Sequence, residues 1–159
     1  MLFRSWLVSP HSGVIMPVGV APDAAGNVFV TDPDEAQPGS RLLRLDNAGP
    51  ATVLSINVPP GAFYSGITLD PIGNILVTNS TTHAPPQVLR FTPTGMLQTV
   101  VSEAHNFVFP IAIALLPNTA ILVLDRQKGI IRVDPQTGDQ LSFATGDRFV
   151  APTGMAIAP

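Results

Sequence analysis

Two stretches decide the fold: PVGVAPDAAGNVFVTD (17–32) and YSGITLDPIGNILVTN (64–79). Set one above the other, Gly19 meets Gly66, Gly26 meets Gly73, Asn27 meets Asn74, Thr31 meets Thr78 and Asp32 meets Asn79, at an offset of 47 residues. A third copy, PIAIALLPNTAILVLD (110–125), follows 46 residues later and carries Ala112 and Thr119 where the glycines stood. A fourth begins at PTGMAIAP (152–159). Self-similarity at this period is the mark of a repeat architecture, in which each unit buries its apolar flanks only against its neighbours.

The second half of each unit repeats as well. RLLRLDNAG (41–49), QVLRFTPTG (87–95) and GIIRVDPQTG (129–138) share an apolar-Arg-apolar core that makes Arg44, Arg90 and Arg132 equivalent. A polar turn and a short β-rich run follow each: ATVLSI (51–56), LQTVV (97–101) and QLSFA (140–144). Every unit therefore reads as four short strands, a to d, punctuated by Gly, Pro, Asn and Asp. Helical periodicity is absent, and 17 prolines argue against long helices. Four antiparallel strands per repeat make a propeller blade. The expected fold is all-β, a partial β-propeller and single propeller segment over 1–159. It comprises a lone strand d at 4–9, blade 1 at 17–56, blade 2 at 64–101, blade 3 at 110–144 and the start of blade 4 at 152–159.

The pattern P-x-G-V-A-x-D-x-x-G-N-V-F-V-T-D followed by R-L-L-R-L-D resembles the NHL-repeat family of β-propellers and the related gluconolactonase-like and streptogramin-lyase-like propellers. The resemblance runs through three units and implies a closed ring, commonly of six four-stranded blades. This chain holds about three. Its blade strands are apolar on both sides, so an open arc would present two bare flanks. At roughly 500 Å² per flank and about 25 cal/mol per Å², each uncovered flank forfeits on the order of 12 kcal/mol. Patches of that size mean a partner. The chain is expected to be a piece of a longer propeller, or to close a ring with a second copy; a stable monomeric arc is the remaining possibility.

Composition narrows the chemistry. Net charge is −3 and charged residues make up only 12%, which disfavours a nucleic-acid partner. No apolar run is long enough for a membrane span, and the first ten residues do not read as a targeting segment. The absence of cysteine excludes disulfides, thiolate zinc sites and cysteine nucleophiles.

Blade geometry places the a–b and c–d turns on one edge and the b–c and d–a loops on the other. The a–b span is 13 residues in every copy (Gly19–Asp32, Gly66–Asn79, Ala112–Asp125). The b–c span varies: 12 from Asp32 to Arg44, 11 from Asn79 to Arg90 and 7 from Asp125 to Arg132. Variation confined to one edge marks the face free to specialise. All three histidines, His11, His83 and His105, map to that b–c/d–a edge. Imidazole is the commonest metal ligand, and three around a channel mouth suit a divalent metal with one open position; some lyases resembling this group hold zinc in such a way. No HxH or HExxH spacing accompanies them. Tyr64 before Gly66 is read either as a rim residue stacking on a ligand or as core packing.

Other polar features read as structural. Asp32, Asn79 and Asp125 recur at the end of strand b and are expected to cap the turn into the b–c loop. Two of them, Asn79 and Asp125, loosely match the cation-holding residues that a gluconolactonase-like resemblance implies. The Arg series is expected to pair with strand-b carboxylates or loop carbonyls. Asp32, Asp34 and Glu35 read as an acidic solvated turn rather than a calcium loop. Asn79-Ser80-Thr81 has the form of a glycosylation sequon. The function expected is a binding or scaffold module presenting its b–c/d–a loops to a protein or small ligand. The alternative is a metal-dependent lactonase-like hydrolase or lyase using His11, His83 and His105.

Overall fold

The computed structural model describes residues 13–34, 39–46, 51–54, 61–81, 83–145, 149 and 151–157. Twelve strands make three four-stranded antiparallel sheets in chain order. Blade 1 holds β1 (Gly19–Pro22), β2 (Val28–Asp34), β3 (Gly39–Leu45) and β4 (Thr52–Val53). Blade 2 holds β5 (Tyr64–Leu69), β6 (Ile75–Asn79), β7 (Gln87–Phe91) and β8 (Leu97–Glu103). Blade 3 holds β9 (Pro110–Leu115), β10 (Ile121–Asp125), β11 (Gly129–Val133) and β12 (Gln140–Ala144). No helix occurs among the described residues. The fold is thus a partial all-β propeller of about three blades. The proposed lone strand at 4–9 lies outside the described residues. Of residues 152–159, read as the start of a fourth blade, the described 152–157 join no sheet.

The tight a–b turns explain why the repeat is legible. In blade 1 the Asp23 carboxylate accepts the N–H of Ala25 and Asn27 and the side-chain amide of Asn27 (2.7–2.9 Å). Asp70 does the same for Ile72 and Asn74 in blade 2 (2.8–3.1 Å). The Asp-x-x-Gly-Asn motif is therefore a self-contained turn that closes a hairpin.

Blades stack flank to flank. Ala21, Phe29 and Leu42 of blade 1 pack on Tyr64, Ile67, Ile75, Val77 and Phe91 of blade 2. Leu76, Val88 and Val101 of blade 2 pack on Ile113, Ile121, Val123 and Val133 of blade 3. Alternation along a strand sends one residue set to each neighbour, so β6 and β10 are buried throughout. The inner strands approach main chain to main chain. A Cβ on Gly19 would lie 2.2 Å from the Ser65 carbonyl oxygen, and one on Gly66 would lie 2.6 Å from Ala112 Cα. Glycine is needed at both positions because the next blade's backbone fills the space. Hydroxyls stitch the same seams. Thr31 Oγ1 donates to the Ser65 carbonyl (2.7 Å), and Ser65 Oγ pairs with Thr78 Oγ1 and donates to the Pro110 carbonyl (2.9 and 3.1 Å).

The end flanks are less bare than the sequence suggests. On blade 1, Val28, Val30, Leu43 and Leu45 are buried, with Val14 and Ala51 packed against them. Exposure remains at Val18, Val20 and Val53 on that flank and at Leu141 and Phe143 on β12.

Candidate functional site

The end of strand b is the best-built polar feature on the b–c/d–a edge, and it is occupied by backbone. Asp32, fully buried, accepts the N–H groups of Ile15 and Met16 and pairs with Arg41. Asn79 accepts the N–H of Phe63 (3.1 Å). Asp125, also fully buried, accepts Val108 and Phe109 from the incoming segment (2.7 and 2.8 Å) and Gln127 and Lys128 from the b–c turn (2.9 and 3.0 Å). Each residue therefore ties the segment entering strand a to the exit of strand b. The expected turn cap is present at Asp125; the tie to the incoming segment is common to all three and went unread in the sequence. Backbone N–H groups carry no sequence signature, so only the recurrence of the acceptor was visible.

These contacts bear on a metal. Asn79 and Asp125, the loose matches to a cation site, already direct their side-chain oxygens at N–H donors. A carboxylate accepting four such bonds has little lone-pair capacity left for a cation. Among the described residues no three His, Asp or Glu side chains gather as metal ligands. His11 lies outside the described residues. His83 is exposed in the b–c loop of blade 2, its backbone N–H on Thr81 Oγ1 (3.1 Å). Its ring lies over Gly61, where a Cβ would fall 2.5 Å from Nδ1. His105 is exposed beside the outermost strands. It borders an open hollow of about 750 Å³ with Asn106, Thr137, Gln140 and Leu141. That hollow sits between the end of β8 and the start of β12, at the periphery and not at the channel mouth. The loop is held there by Gln140, whose side-chain amide donates to Ser102 Oγ and to the carbonyls of Glu103 and Ala104 (2.9–3.3 Å).

Tyr64 belongs to the core. It is 2% exposed, and its ring meets Phe91 edge-on at 5.9 Å. Burial pushes its phenol up to about 12. A ring held this way presents no face to a ligand, so the rim reading of Tyr64 gives way to the packing one. Asn79 is likewise buried at 3%, and its amide faces Gln87 (3.4 Å). The sequon is therefore closed to glycosylation in the folded chain.

The Arg series follows blade order. Arg44 pairs across the sheet with Phe29, on the flank toward blade 2, and Arg90 with Leu76, on the flank toward blade 3. Arg132 pairs with Leu122, on the flank beyond which the chain places no blade, and it is exposed. Arg44 bonds Asp46 of its own c–d turn (2.8 Å). The strand-b carboxylate Asp32 is taken by Arg41, which does not recur. Arg44 thus takes a carboxylate of the c–d turn, where a strand-b carboxylate or a loop carbonyl is expected.

The chain matches no protein-family model and no curated protein. Solved structures do match. A gluconolactonase from Xanthomonas campestris superposes with a TM-score of 0.69 at 12% identity, over 92% of this chain and 52% of its own. A Bacteroides caccae protein of unknown function gives 0.62 at 18% identity, over 89% and 49%. The pyrroloquinoline-quinone-bound aldose sugar dehydrogenase of Streptomyces coelicolor gives 0.58 at 21%, over 79% and 46%. The chain thus spans about half the length of the structures it matches. Its fold is a partial β-propeller.

Proposed function

We propose that the chain is an NHL-like propeller segment that works as a binding or scaffold module, with its b–c/d–a loop edge as the recognition face. The observation that carries this reading is the contrast between edges. The a–b turns of blades 1 and 2 share one Asp-centred hydrogen-bond pattern, at Asp23 and Asp70, and that of blade 3 keeps their length. The b–c loops differ in length from blade to blade and carry the exposed His83. The buried polar groups beneath them hold backbone, so this edge is a rigid support under variable loops. That arrangement suits recognition of a surface more than convergence of unlike catalytic groups. Fold likeness alone does not transfer an activity.

The experiment has two arms. Peptides displayed on phage and panned on the chain should yield binders whose retention falls at least tenfold when His83 and Gln87 are replaced by Ala. Replacing Ala25 and Ile72 on the opposite edge should leave retention unchanged. In the second arm, glucono-δ-lactone hydrolysis is followed with zinc or calcium present. A metal-dependent rate that disappears in a His83→Ala/His105→Ala variant would overturn the binding-module reading in favour of a lactonase-like hydrolase.

A further inference from the structure

We infer that the end flanks of blades 1 and 3 are two halves of one interface, and that a second copy of this chain completes it to form a closed ring of two chains. The repeat register specifies the contact. Wherever one blade meets the next inside the chain, apolar residues of the first fill a groove on the second. Ala21, Phe29 and Leu42 fill the groove formed by Ile67, Ile75, Val77 and Phe91. One blade on, Leu76 and Val88 lie against Ile113, Ile121, Val123 and Val133. The same positions recur once more at the ends of the chain. Blade 1 carries the groove set as Val20, Val28, Val30 and Leu45, and blade 3 carries the filling set as Ala114, Leu122 and Ile130.

The groove on blade 1 exists as an open apolar hollow of about 390 Å³ walled by Val18, Val20, Val28, Val30 and Leu45. Val20 is 66% exposed on its lip. On blade 3 the corresponding flank shows Leu141 at 65% and Phe143 at 58% exposure, with Arg132 exposed where Arg44 and Arg90 are half-buried against a neighbour. Val28, Val30 and Leu45 in the groove and Leu122 opposite are already covered, at 8%, 4%, 3% and 4% exposure, so the second copy replaces cover there and adds burial mainly at Val20 and on β12.

The joint between chains is not a perfect repeat of the internal ones. Ala112 stands where Gly19 and Gly66 admit the next backbone, and Leu124 stands where Thr31 and Thr78 supply hydroxyls. A seam at blade 3 is therefore wider at the axis and held by apolar side chains rather than by backbone approach. Because blade 3 of each copy meets blade 1 of the other, the ring has two identical seams and a twofold axis.

The test is light scattering on the whole chain across a concentration series, with thermal melts to confirm folding of each variant. The parent should have twice the mass of one chain. Val20→Glu and Phe143→Lys, both at exposed positions, should each weaken self-association about a hundredfold or more, because each buries a charge at both seams. Mixing the two variants should restore the two-chain species, since one seam of the mixed ring carries neither substitution. A parent that stays a single chain throughout, or assembles into open polymers, overturns the proposal. So does a dimer that either variant leaves intact, or a mixture that remains monomeric.

Discussion

Thr119 occupies the turn position that Gly26 and Gly73 hold in the other blades, and it adopts their left-handed backbone, with φ at 66° against 84° and 86°. A β-branched residue pays about 1–2 kcal/mol for that conformation, while glycine adds flexibility to the unfolded chain. Thr119→Gly is therefore expected to stabilise the fold by about 0.5–1 kcal/mol in urea denaturation. The reverse holds for Gly66. Its neighbour is backbone and cannot swing aside, so Gly66→Ala should cost about 2 kcal/mol or more, read in the same assay. Tyr64 offers a spectroscopic check because it is the sole tyrosine. Its phenol lies above the ordinary value of 10, at about 12. The neutral form is thus favoured by folding. The corresponding stability is complete below pH 10 and is lost as pH rises from 10 through 12, amounting to about 2–3 kcal/mol. Tyrosinate absorbance should show half-ionisation near pH 12 in the folded chain and near pH 10 in denaturant, provided the fold survives that far. A folded-state midpoint at pH 10 would contradict the burial described.

At the level of elements, strand b and the segment entering strand a behave as one unit because a buried acceptor joins them. Replacing Asp125 by Ala strands four N–H donors, on Val108, Phe109, Gln127 and Lys128. The expected loss is about 3 kcal/mol or more, with faster hydrogen exchange concentrated in residues 104–109 and 126–129. In the a–b turn, Asp23 is held below the usual carboxylate range by the Asn27 side chain first, with the N–H groups of Asn27 and Ala25 and the charge of Arg44 acting in the same direction. A lowered value means the turn gains from ionised Asp23 above pH 4 and loses that gain as pH falls. NMR titration should show Asn27→Ala moving the Asp23 midpoint upward. This scale also divides what could be read in advance from what could not. The Asp-x-x-Gly-Asn turns fold on local contacts, so strand order and blade boundaries followed directly from the letters. The partners of Asp32, Asn79 and Asp125 in the incoming segment lie 16–17 residues back along the chain and offer only main chain, which no pattern of side chains announces. The order of the loops puts His105 on the b–c/d–a edge, and the bonds of Gln140 to Ser102, Glu103 and Ala104 hold its loop beside the outer strands.

Within one chain, the middle blade alone has a neighbour blade on each flank. Stability should therefore grade inward along the arc. Hydrogen exchange is expected to be slowest in β6 of the middle blade, and fastest in β4 and β12, whose described residues are mostly exposed. Exchange that is uniform across the three sheets would show instead that they open as a single cooperative unit.

The approach of peptide to peptide at Gly19 and Gly66 reaches beyond stability. The spacing around the axis is gauged by main chain, which has a fixed thickness, while the residues of the variable edge hang outside that gauge. Diversifying positions 83–86 and 104–106 would change what the edge touches without altering the bore. The same skeleton is thereby open to successive rounds of re-targeting, each starting from an unchanged diameter.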